Sequence, residues 1–199
     1  MKGPRMIIAT TTEAGTDEDT EAAGRVTRQI IDSFLKRPSL SDHAINAVAA
    51  MANNDLSMMN LDGELPIGCD ASFIFLERNQ ARFLVAGNAA AWHFENGRLA
   101  HRSEAGTAPL IGTGPHYKPR LEPVFALNRE ENAFLVASPT LAASLKDADL
   151  EEALNKSKSP EEWMEQLKTM VGLDKQFCAI SVFLPVAKPS LLRELFLRA

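Results

Sequence analysis

Ala81-Arg82-Phe83-Leu84-Val85-Ala86-Gly87-Asn88-Ala89-Ala90-Ala91-Trp92-His93-Phe94-Glu95-Asn96-Gly97-Arg98-Leu99 is the stretch that decides the fold. An apolar run from Ala81 to Ala86 stops at a glycine, and a second run from Ala90 to Phe94 stops at Glu95-Asn96-Gly97. Asn-Gly is the pair that a tight hairpin needs, because its central positions take positive φ. Arg98 to Arg102 therefore reads as the returning strand. Upstream, Ser72 to Leu76 is joined to Ala81 through Arg78-Asn79-Gln80. Downstream, Pro123 to Leu127, Ala133 to Ala137 and Phe177 to Leu184 add further apolar strands. Short strands joined by turn residues predict antiparallel sheets.

Helical patterns flank this block. Thr20 is the expected N-cap of a helix whose apolar stripe runs through Ala22, Ala23, Val26, Ile30, Ile31 and Phe34. Ser41 or Asp42 opens a second, with Ala44, Ile45, Val48, Ala49 and Ala52 on one side; Asn53 to Pro66 reads as loop. Thr140 to Leu145, Asp147 to Lys156 and Pro160 to Val171 are further helices, the last opened by Ser159-Pro160 and ended by Gly172. Arg5 to Ala9 is a short opening strand, and Ala105 to Pro123, rich in Gly and Pro, reads as an extended loop. A terminal helix is predicted over Pro189 to Leu197, with Leu191, Leu192, Leu195 and Phe196 on its apolar side. Strand, two helices, strands, helices, strand is an α+β order. The terminal helix follows Pro185 and Pro189, so the chain is expected to divide into a domain over 1–184 and a C-terminal helical extension over 185–199.

The 199 residues suffice for a full core, and 45% apolar content predicts a folded chain. A net charge of -5 argues against nucleic-acid binding, which needs a basic footprint. No stretch has the length of a membrane span or the layout of a signal peptide, so a soluble cytoplasmic protein is expected. Cys69 and Cys178 both fall in apolar segments and are expected to be buried thiols.

The layout around Gly87-Asn88-Ala89-Ala90-Ala91-Trp92 resembles the strand, Gly-Asp-Ser-Arg-Ala-Tyr, strand, Asn-Gly hairpin of the type 2C metal-dependent protein phosphatases, including their sporulation stage II E-like members. Gly68-Cys69-Asp70-Ala71-Ser72 resembles that family's Gly-Thr-Thr-Ala strand opening. The resemblance runs from Met6 to about Leu184. It implies an antiparallel β-sandwich flanked by helices, an α-β-β-α arrangement, shortened at the N-terminus by the two strands with which the family begins. An uncovered strand edge would then remain for another chain to pair with.

In that family two divalent ions are held by carboxylates at one end of the sandwich, where they activate a bridging water. Hard dications need oxygen donors, chiefly carboxylates. Here Thr10 stands at the bridging Asp, Pro139 at the Asp of Ser-Asp-Gly, and Lys175 at the Asp of Asp-Asn. The resemblance therefore implies a degenerate site with no metal and no catalytic residue: a pseudophosphatase that binds a protein, either a phosphoprotein or itself as a homodimer. Leu191, Leu192, Leu195 and Phe196 are the candidate contact residues. The alternative is an active Ser/Thr phosphatase that holds Mn or Mg on an altered set drawn from Asp17, Asp19 or Asp174. A small-molecule module using the vacated cleft is a third reading. Ser138 lacks the Gly-x-Ser-x-Gly setting of a nucleophile. His43, His93, His101 and His116 lack metal-site spacing. Met51, Met58 and Met59 read by default as packing residues.

Overall fold

The structure, a computed structural model, describes residues 5–11, 17–37, 39–61, 67–77, 79–103, 106, 108–114, 117–127, 131–172 and 178–184, the first group and 17–19 by backbone only. The elements in chain order are β1 (Arg5–Thr11), α1 (Asp17–Lys36), α2 (Asp42–Asn60), β2 (Ala71–Glu77), β3 (Gln80–Ala86), β4 (Ala90–Glu95), β5 (Arg98–Arg102), β6 (Arg120–Ala126), β7 (Asn132–Ala137), α3 (Pro139–Ser144), α4 (Asp147–Lys156), α5 (Pro160–Val171) and β8 (Ala179–Leu184).

The strands form two antiparallel sheets of four, in the orders β1-β2-β3-β6 and β5-β4-β7-β8. The central strands β2, β3, β4 and β7 are buried on both faces, which is why they read as unbroken apolar runs. Their alternation builds three apolar layers. Phe73, Phe75 and Leu84 face α1 and α2, with the Phe34 and Phe75 rings 4.8 Å apart. Ile74, Phe83, Ala91, Phe134 and Val136 fill the space between the sheets. Trp92, Phe94 and Leu135 face the side of α4 and α5, where the Phe94 and Trp163 rings meet edge to face at 5.5 Å. This is the expected α-β-β-α sandwich, with α1 and α2 on one sheet.

Several local expectations need correction. α1 begins at Asp17, so Thr20 lies within it instead of capping it. α2 continues through Asn60, eight residues past its expected end, because Leu56 and Met59 carry the apolar period onward. β6 starts at Arg120, inside the stretch read as loop. Pro123 is tolerated there because β6 is an outer strand and its pairing with β3 is irregular opposite Phe83. β8 starts at Ala179, leaving Cys178 exposed, whereas Cys69 is buried as expected. Met51 and Met58 are 52% and 63% exposed, so only Met59 packs as expected. The extension 185–199, with Leu191, Leu192, Leu195 and Phe196, lies outside the described residues, as do Lys175, Asp174 and His116.

Candidate functional site

One end of the sandwich collects the ends of β1, β3 and β7 and the starts of β2, β4 and β8. Thr10 pairs with Ser72 across β1 and β2, and Ser72 Oγ donates to Ala137 O at 3.4 Å, linking the two sheets. Ala137 precedes Ser138 and Pro139, so the fold brings the Thr10 and Pro139 positions to the same end. Pro139 is the first residue of α3, where its missing N–H costs nothing. Ser138 is fully buried: its N–H donates to Cys178 O at 2.8 Å and its Oγ accepts from Cys178 N–H at 3.0 Å.

The link between β3 and β4, Gly87-Asn88-Ala89, passes from one sheet to the other at this end too. Gly87 has φ 63°, and a Cβ on it would come within 2.0 Å of Asp70 Oδ1 and 2.6 Å of Leu110 Cδ2. Only glycine fits. Asp70 Oδ1 accepts the Asn88 N–H at 2.6 Å. The segment over 108–114 crosses the strand ends, bonded through Gly87 N–H to Ala108 O and by paired bonds between Cys69 and Ile111. Asn53, buried on α2, holds that segment in place: its Oδ1 accepts from Gly112 N–H and its Nδ2 donates to Gly114 O, each at 2.8 Å. Reading 53–66 as loop concealed this role, and the continuing period at Leu56 and Met59 was the signal that could have revealed it.

The described oxygen donors at this end include the hydroxyls of Ser72 and Ser138, both engaged in tying strands together, and the carboxylate of Asp70, bonded to a backbone amide. Among the described residues, no three His, Cys, Asp or Glu side chains converge as a metal site would require. The side chains of Thr10, Asp17 and Asp19 lie outside that description.

Farther from this end, a polar cluster lies between the outer strands β5 and β6. Glu122 is 4% exposed and accepts from His101 Nε2 at 2.9 Å and Arg120 Nε at 2.8 Å. Arg82 Nε donates to Glu122 O, and its Nη1 reaches Asp42 Oδ1 at 2.6 Å, holding that carboxyl below its ordinary value. His93 is 1% exposed, stacks on Phe134 at 4.6 Å and donates from Nε2 to Asn132 Oδ1. Burial pushes its pKa below the ordinary 6.5, against the opposing pull of Asn132 and Glu95. His93 is thus a core histidine.

No family model matches the chain, and no curated protein matches it in sequence. Solved structures do. A PPM Ser-Thr phosphatase from Mycobacterium smegmatis superposes with TM-score 0.70 at 12% identity, covering 92% of this chain and 88% of that one. The S. agalactiae serine/threonine phosphatase gives 0.75 at 13%, over 92% and 88%. The chain has the type 2C phosphatase fold. PppA, described as a key regulatory component of a secretion system in Pseudomonas aeruginosa, shares that fold with TM-score 0.67 at 16%, over 90% and 86%. Among the described residues, no helix of this type 2C fold is long and apolar enough to cross a membrane.

Proposed function

We propose that this is a catalytically silent type 2C-fold domain, cytoplasmic, that acts by binding a protein. Its partner is a phosphoprotein or a second copy of the chain. The observation that carries the reading is Pro139 opening α3 where the resembled motif has a metal-binding Asp, beside a serine already spent on Cys178. A proline offers no donor. Lysine at 175, read from the sequence, would place positive charge at another ligand position, and Thr10 removes a third carboxylate. Losing all three removes the charge that offsets dehydration of a hard dication. PppA supports the reading to the extent that the same fold can serve as a regulatory component.

Titration calorimetry with Mn²⁺ and hydrolysis of p-nitrophenyl phosphate test it together. The expected result is neither saturable heat nor turnover. The variant Thr10→Asp with Pro139→Asp and Lys175→Asp should bind Mn²⁺ measurably while remaining a poor catalyst, because residues that orient ligands would still be missing. Saturable Mn²⁺ binding by the unmodified chain, with turnover abolished by Asp17→Asn or Asp19→Asn, would overturn the reading in favour of an altered active site.

A further inference from the structure

β1 and β8 are outer strands of the two sheets on the same flank, and β1 lies across from β8. β8, Ala-Ile-Ser-Val-Phe-Leu, carries no charge, and all six residues are only half-buried, whereas neighbouring β7 is buried throughout. Ile180, Val182 and Leu184 lean on the layer between the sheets and Phe183 on the Trp163 cluster, each leaving apolar surface uncovered among the described residues. Outer strands normally carry lysine, proline or inward charge against pairing, and this one has none. A groove of about 540 Å³ adjoins the end of β8, with Phe183, Leu184, Ala133 and Leu154 in its lining and Lys158 and Glu131 beside them.

The chain leaves this groove at Leu184 with fifteen residues to follow, 185–199. Their sequence places Leu191, Leu192, Leu195 and Phe196 on one side of a short helix, too short to be stable unless that side is covered. Pro185 and Pro189 bound a four-residue spacer, 185–188, between β8 and the helix predicted from sequence. Four extended residues span about 12 Å at about 3.1 Å per residue, a length that lets the helix reach a flank other than its own. Arg193 and Glu194 complement the charges of Glu131 and Lys158 at the groove.

We propose that two copies of the chain exchange these segments, the Leu191, Leu192, Leu195 and Phe196 side of each covering the β8 flank and groove of the other. The exchange is reciprocal, so it closes as a two-fold dimer. This names the protein partner of the reading above as a second copy and rests on that reading only for the role of association. Metal binding and turnover are measured separately, so either idea can fail alone.

Light scattering on the full chain should give about twice the 21.8 kDa chain mass at micromolar concentration. Leu191→Asp with Leu195→Asp should halve the mass, and Val182→Lys should do the same from the other side of the contact. Mixing those two variants should restore a dimer, because one retains the flank and the other the segment. If Val182→Lys loses its circular dichroism, hydrogen exchange decides instead: β8 and 154–158 should lose protection in the Leu191, Leu195 variant. A monomeric full chain, or a dimer indifferent to the Leu191, Leu195 change, overturns the proposal. A monomer whose β8 protection still depends on Leu195 overturns it as well, in favour of a segment folded onto its own flank.

Discussion

The two flanks of the sandwich are finished in opposite ways. On one, β5 and β6 carry Arg98, His101, Arg102, Arg120 and Glu122, and Glu122 is buried between His101 and Arg120. Both outer strands there pair irregularly with their neighbours, and β6 contains a proline. Charge, irregularity and proline each discourage another strand from adding on. On the opposite flank β8 has none of these. The difference teaches that one fold can seal one side with its own ion pairs and leave the other to be closed by apolar contact.

The sharpest way to break the comparison is Glu122→Leu. It leaves His101 and Arg120 beside a buried apolar side chain, and losing one partner of a buried pair costs about 3 kcal/mol. Urea denaturation should show the midpoint falling accordingly; a change below about 0.5 kcal/mol, the usual surface value, would mean that the charged flank is not held by this cluster. Val182→Ala on the apolar flank should cost about 1 kcal/mol, the value of a shortened aliphatic side chain in a half-formed core. That cost should grow with protein concentration if the flank is closed by a second copy, which denaturation at two concentrations would reveal.

The most gradual effect is that of pH. His93 has its pKa lowered by burial, with Asn132, Glu95 and His101 as the polar groups around it. Below the ordinary value of 6.5 the unfolded chain takes up a proton that folded His93 resists, so stability falls as pH drops through that value. The slope can reach about 1.4 kcal/mol per pH unit and flattens once the folded form also protonates. His93→Gln should remove this dependence; an unchanged slope would assign the pH effect to other groups.

Much of this architecture was readable beforehand, for identifiable reasons. Asn96-Gly97 makes its hairpin turn, with φ of 49° and 75°. α4 keeps its expected bounds of 147 and 156, and Ser159 caps α5 through the Glu162 N–H. These are local signals and need no tertiary information. What escaped reading depends on partners distant in sequence. Asn53 looks like a loop residue until Gly112 and Gly114 supply its bonds. Arg120 begins a strand only because β3 offers pairing. Glu122 becomes the centre of a cluster only when β5 arrives beside β6. For the candidate site, the resemblance singled out Thr10 and Pro139, and the fold brings both positions to one end of the sandwich, where Ser72 links the two sheets. It did not predict how Ser138 and Asp70 are used, because those bonds join segments far apart in the chain.

Ser138 also bears on the loss of chemistry proposed above. It joins the end of β7 to the residue before β8 and stands at the threshold of α3. In the resembled Ser-Asp-Gly motif the metal ligand is the very next residue. Carpentry and chemistry thus occupy adjacent letters. A change confined to the second letter can retire the reaction while the first keeps the frame square, so a lineage carrying this fold can trade catalysis for recognition without first passing through an unfolded intermediate.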